Sequence, residues 1–345
     1  GSGTLWIIKE IEKKLFFGDS AMISTEPDGM EKLIVDNIGT DPENVIDLRG
    51  KDATSIKMED AIGEAARVIR QKFGIVTDFY TSLKTMEDIQ KLLRDRLRFP
   101  AGGGGGDQTT VPNLVFDKYP TTFGTPMLQP DLFILEGEAP RTSSISAGIP
   151  SQVSISNAAG SHASSEFLAA DAGTYYYSVA AVNKFGQGLV SAEASQVVAV
   201  GDRVTITITE GGTDGTCFFI FRNKKDAGSS ATVGTSFFIF RNKKDAGSSA
   251  TKLFMKKVVR TGDDPDVYDT NSDLPGTSKG FMLGMNPMYN AIEWEQFLPL
   301  MKFDLYPTNA AVYPFLMLLF GALGLKKPEQ HVMIKNISPS NLGWF

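Results

Sequence analysis

The chain has 345 residues, 42% of them hydrophobic and 21% charged, with a formal net charge of −6. That length is enough for two or three domains, each burying a core of useful size. The acidic balance argues against a dedicated nucleic-acid binder, which usually carries a basic patch and a high isoelectric point.

Three blocks differ in texture. Residues 1–100 are mixed and charge-rich, residues 139–276 are rich in Ser, Thr, Gly and Val, and residues 277–345 are apolar and mixed again. The outer blocks read as one domain split by the middle one. Gly1-Ser2-Gly3 reads as a trimmed start and not as a signal peptide. Residues 5–17 have a helical pattern, with Leu5, Ile8, Ile11 and Leu15 at three- and four-residue steps and Gly18 as the stop. Pro27-Asp28-Gly29 signals a turn. A second helix is expected from Ser55, with Met58, Ile62, Ala65, Ile69 and Phe73 on one stripe, charges opposite and Gly74 as the stop. A third is expected from Thr85, where Thr85 and Asp88 resemble a capping box. Ile89, Leu92, Leu93 and Leu97 form its apolar face, and Pro100 closes it. The five glycines Gly102–Gly106 read as a flexible loop. A phosphate loop would need a following Gly-Lys-Ser/Thr, and Asp107 would repel phosphate.

The middle block alternates as an all-β sandwich does. Tyr175, Tyr177, Val179 and Ala181 fall on one face of a strand, and Tyr176, Ser178, Ala180 and Val182 on the other. Further strands are expected at 152–156, 196–200 and 203–209. Residues 218–232, FFIFRNKKDAGSSAT, recur letter for letter as 237–251. Repeats that fold as units normally diverge, so an error in the sequence is preferred to a recent tandem duplication. A basic patch from Arg222, Lys224 and Lys225 is diluted by Asp226. In the last block, 297–305 reads as a strand. Residues 313–325 read as a buried helix; the apolar run 315–325 is too short to span a bilayer, which needs about 20 residues. Residues 330–337 read as a strand, with Val332 and Ile334 on one face and His331, Met333 and Lys335 on the other.

Reactive groups are sparse. One cysteine, Cys217, excludes an internal disulfide, and it reads as a buried small hydrophobe in a reducing compartment. The two histidines, His162 and His331, cannot build a typical zinc site with it. Glu10 and Glu12 lie on different helix faces and are not a catalytic pair. Asp263, Asp264 and Asp266 lack the Gly and bidentate Glu of a calcium loop and read as a solvated turn. No hydrolase elbow, Walker loop or dinucleotide fingerprint is present. No catalytic residue, cofactor or metal is expected.

Several stretches resemble the major capsid proteins of tailed bacteriophages with the Hong Kong 97-type fold. They are EIEKKLFFGDSAM (10–22), DGMEKLI (28–34), NVIDLRG (44–50) and GIVTDFYTS (74–82), with PLMKFDLYPT (299–308) and PFLMLLFGALGLKKPEQHVMIKNI (314–337) near the end. The agreement covers somewhat over half the chain, and the order of the stretches carries it. GTYYYSVAAVNKFGQGLVS (173–191) resembles a fibronectin type III or immunoglobulin-like strand pair, and DLPGTSKGFML (273–283) looks like the return to the capsid core.

The resemblance implies an α+β chain. A capsid core formed by 1–138 and 277–345 would be interrupted by an immunoglobulin-like β-sandwich at 139–276, on the outer face of the shell. It implies a structural protein, not an enzyme, that assembles with itself into hexamers and pentamers of an icosahedral head. That head would enclose double-stranded DNA without sequence-specific binding, which an acidic wall permits. Portal, scaffold and cement proteins are the other implied partners, with no membrane. The implied location is the virion, and the host cytoplasm during assembly. Arg67, Arg70, Arg94 and Arg96 are expected at subunit edges or the inner wall. Family members carry an arm and an extended loop before the helix that here begins near Leu5. Without that loop no cross-linking lysine is assigned. An encapsulin-like shell and a secreted sandwich-type binding protein are the alternatives.

Overall fold

The computed structural model describes residues 2–21, 26–38, 42–96, 116–134, 149–183, 186–210, 217–222, 253–259, 266–285, 291–305 and 315–340. The chain divides into two compact units, one built mainly from 1–135 and 278–343 and the other mainly from 136–277. The architecture is mixed α and β.

The described helices are α1 Ser2–Phe17, α2 Met30–Ile38, α3 Ile56–Gln71 and α4 Leu83–Arg96. The early strands are β1 Val45–Asp47, β2 Asp78–Ser82 and β3 Met127–Asp131. The second unit holds β4 Ser154–Ser161, β5 Gly173–Asn183, β6 Gly186–Gln187 and β7 Ala194–Val198. It continues with β8 Asp202–Thr209, β9 Cys217–Arg222, β10 Leu253–Val259 and β11 Asp266–Asp269. Then come β12 Ser278–Leu283, β13 Ile292–Asp304, β14 Phe315–Leu325 and β15 Val332–Ile337.

In the first unit five strands form a mixed sheet in the order β1-β15-β12-β2-β3. The two outer pairs are parallel, and β12 runs antiparallel to both its neighbours. Two of its three inner strands, β12 and β15, thus come from the far end of the chain. Both sheet faces are covered. Met58, Ile62, Ala65 and Ile69 of α3 and Ile89 of α4 pack with Phe79, Met282, Val332 and Ile334. On the other face Phe16 and Phe17 of α1 and Met30 and Ile34 of α2 pack with Phe281, Leu283 and Met333. Alternate side chains of β12 and β15 therefore enter opposite cores. This is why those strands read as near-continuous apolar runs.

Four features of the first unit differ from the sequence reading. Helix α4 starts two residues earlier than expected, directly after β2, and its cap is Ser82. The Ser82 hydroxyl accepts from the Thr85 N–H at 3.3 Å and lies 2.9 Å from the Thr85 hydroxyl. Asp88 is buried and accepts from the Ser340 backbone N–H and hydroxyl, so it is no capping partner. Helix α2 was not anticipated. Its nine residues are too few for periodicity to speak clearly, and burial of Met30 and Ile34 holds it in place. Phe73 leaves the apolar stripe, because α3 ends at Gln71 and Phe73 is 90% exposed.

The fourth correction concerns 313–325, expected as a buried helix. The described part is strand β14, paired antiparallel with β13 in a two-stranded ribbon. A short apolar run fits strand and helix alike, so the available partner decides. Gly321 fits this pairing. A β-carbon there would sit 2.3 Å from the Trp294 ring, which occupies the space the glycine leaves.

The second unit contains two antiparallel sheets. One has the order β10-β9-β5-β6 with β7 also on β5, and the other has the order β11-β8-β4. Tyr175, Tyr177 and Val179 of β5 meet Val204, Ile206 and Ile208 of β8 across one apolar core. The other face of β5 sends Ala180 and Val182 onto Phe254. The strand expected at 152–156 runs 154–161 instead. The Tyr177 hydroxyl, buried with its ring, donates to Asp269 at 2.8 Å. The glycine run 102–106 and residues 223–251, which hold most of the repeat, lie outside the described residues.

Candidate functional site

Among the described residues, the histidines and carboxylates singled out in the sequence do not come together in one cluster. Among the described residues no group of three or more His, Cys, Asp or Glu is placed to hold a metal. His162 sits in a turn, its Nδ1 2.7 Å from the Ser164 hydroxyl. His331 is fully buried at the start of β15. Its Nδ1 accepts from the Gly284 N–H at 3.3 Å, and its Nε2 is buried with no hydrogen-bond partner in the structure. Burial lowers its pKa from 6.5 to about 4. The ring is therefore a neutral part of the core. The Cys217 side chain, Asp263 and Asp264 lie outside the described residues. Asp266 accepts from the Thr207 hydroxyl at 2.6 Å as part of a strand pair.

One acidic corner escaped the sequence reading. Burial, and then the charge of Asp131, pushes the Glu12 carboxyl above its usual range. Burial raises the Tyr80 hydroxyl as well, helped by Asp78 and Asp131. The groups come from α1, β2 and β3, and no sequence spacing links them.

The predicted arginines lie on α3 and α4, the two helices that cover one face of the sheet. Arg67 pairs with Glu64 one turn back, its Nε donating at 2.9 Å, and this holds the Glu64 carboxyl below its usual range. Arg70 is exposed and donates to the Gly74 carbonyl at 3.3 Å. Arg94 is exposed and donates to the Gln90 carbonyl at 3.4 Å. The Arg96 side chain lies outside the described residues.

A strained aromatic stands at the end of α3. The Gly74 N–H donates to the Ile69 carbonyl at 2.8 Å and the Phe73 N–H to the Arg70 carbonyl at 3.1 Å. These bonds form a Schellman cap with Phe73 at the left-handed position, φ 61°. Glycine is the usual occupant, because a β-carbon there costs about 1–2 kcal/mol. Gly74 is needed for a different reason: a β-carbon on it would lie 2.6 Å from the Ile69 side chain. Ile75, two residues on, and Met127 and Met285 are each about two-fifths exposed. Thr77 ties them together, accepting from the Met127 N–H at 2.8 Å on its carbonyl and from the Met285 N–H at 2.7 Å on its hydroxyl. Phe73→Gly should raise the stability of the first unit by about 0.5–1 kcal/mol, after allowance for the looser unfolded chain. Urea unfolding checks this, and an unchanged or lower midpoint would show that the turn is not strained.

No family model matches the chain. It is similar to the major capsid proteins of Staphylococcus phage S25-3 and Staphylococcus phage K. Identity to each is 25% over 355 residues, covering 96% of this chain and 67% of the relative. Among the described residues no helix is long and apolar enough to cross a membrane.

Proposed function

We propose that this chain is the shell-forming subunit of a tailed-phage head, with a Hong Kong 97-type core and an immunoglobulin-like insertion at 139–276. The observation that carries the reading is the similarity to phage major capsid proteins along 96% of the chain. The layered first unit, whose sheet is completed by strands from both ends of the chain, supports a rigid building block. The paired antiparallel sheets of the second unit support the insertion.

The work of such a subunit is assembly, not turnover. Different edges meet neighbours in heterologous contacts that close into hexamers and pentamers. Many modest contacts hold together through multivalency, and each stays weak enough to correct during growth. DNA is enclosed without being read, and portal, scaffold and cement proteins complete the head. The test is electron microscopy and sedimentation of the purified chain. Closed shells are expected, and a chain that stays monomeric at every concentration overturns the reading.

The arginines give a second test. Arg67→Glu, Arg70→Glu, Arg94→Glu and Arg96→Glu should each leave the chain folded. Each should lower shell yield by placing like charges at an edge or on the inner wall. Normal particles from all four variants would remove the arginines from the interface.

A further inference from the structure

Among the described residues, the β13–β14 ribbon packs on the core at the end where Ile292 pairs with Leu325. Ile292, Leu323 and Leu325 pack partly buried against the core formed with α1 and α2. Beyond them, Gln296–Asp304 paired with Phe315–Gly321 extends for roughly 20 Å at the usual rise per strand residue. This distal half exposes apolar side chains. Phe297 is 77% exposed, and Phe303, Phe315 and Phe320 are about half exposed, with four leucines on or beside the two strands nearly as open. At roughly 200 Å² for a whole aromatic side chain, the exposed apolar area is on the order of 700 Å². That is close to the roughly 800 Å² per partner that a stable protein interface buries.

The ribbon also lacks the usual protection of free strands. Across 296–305 and 315–320 the charged residues are Lys302 and Asp304. Edge strands left open to water are normally blunted by charge, and an isolated two-stranded hairpin is marginal in water. Pro299, where the register slips between Leu298 and Met301, interrupts the ladder but leaves the apolar side chains in place. A surface of this size and character marks a docking element.

We propose that the distal half of the ribbon is an assembly arm that lies against a second copy of this chain. The inference rests on the shell-forming reading, in which copies of the same chain are the abundant partner, and it names the element that joins them. The experiment places a photo-crosslinking benzoylphenylalanine at Phe297 in the full chain and illuminates the assembled material. Covalent dimers of two chains are expected, and they should vanish on dilution to monomer. Cross-links confined within one chain overturn the proposal. Phe297→Asp combined with Phe320→Asp should lower assembly at least tenfold while the helical far-ultraviolet signal and the urea midpoint stay at parent values. The milder Phe297→Gln should lower it by less. Unimpaired assembly of both variants overturns the proposal. A parent chain that does not self-associate overturns the shell-forming reading along with it. A parent that forms shells while cross-link and variants fail overturns the arm alone.

Discussion

Phe281→Ala should destabilise the first unit by about 3–5 kcal/mol, the range for emptying a buried aromatic site. Phe281 is fully buried on β12, a strand bonded to β15 on one side and β2 on the other. Its ring centre lies 5.5 Å from that of Phe16 and 6.1 Å from that of Phe17. The substitution therefore removes a ring that fastens α1 onto the sheet, and the surrounding β-strands cannot collapse into the gap. All four described helices lie in the first unit, so the helical far-ultraviolet signal followed in urea reports on it. Shell yield should fall together with that signal, whereas the ribbon variants should lose shells and keep it. A loss below about 1 kcal/mol would mean that α1 does not depend on this ring.

Acid should weaken the same unit through His331. The unfolded chain takes up a proton as pH falls through 6.5, while the buried ring resists until about pH 4. Above roughly pH 7 both states are neutral, and the group has no influence on stability. Between 6.5 and 4 the unfolded state binds more protons, so stability falls by about 1.4 kcal/mol per pH unit and by roughly 3 kcal/mol in all. Below pH 4 both states are charged and the loss levels off. His331→Gln removes the titration, so the stability difference between parent and variant should move by that amount across the window. Carboxylates elsewhere act equally on both proteins and cancel. A difference that stays constant from pH 7 to pH 4 would rule out a neutral buried ring.

The amphipathic stripe of α3, the apolar steps of α1 and the alternating tyrosines of β5 were legible because each repeats with the period of its own element. The order of short stretches carried the family resemblance for a similar reason, since it needs no knowledge of contacts. Local pattern was ambiguous where an element is short or apolar throughout. Helix α2 is too brief to show a period, and β14 is apolar on both faces. The cap of α4 was misplaced because Ser82 and Thr85 have the same chemistry, and only the point where β2 ends separates them.

Other features depend on partners distant in sequence. The acidic corner joins Glu12, Tyr80 and Asp131, and the His331 ring is shut away with Gly284 as its hydrogen-bond donor. Phe73 belongs to both groups. Its spacing placed it on the buried stripe, and the Schellman turn two residues after α3 swings it into solvent. The sequence by itself determined the elements that carry a clear period, such as α1, α3 and β5, and the change of texture between blocks, because those properties are written in neighbouring residues. Only the tertiary structure decided which strands pair, which apolar faces are covered and which are left open. Those outcomes depend on long-range packing, and no local period encodes it.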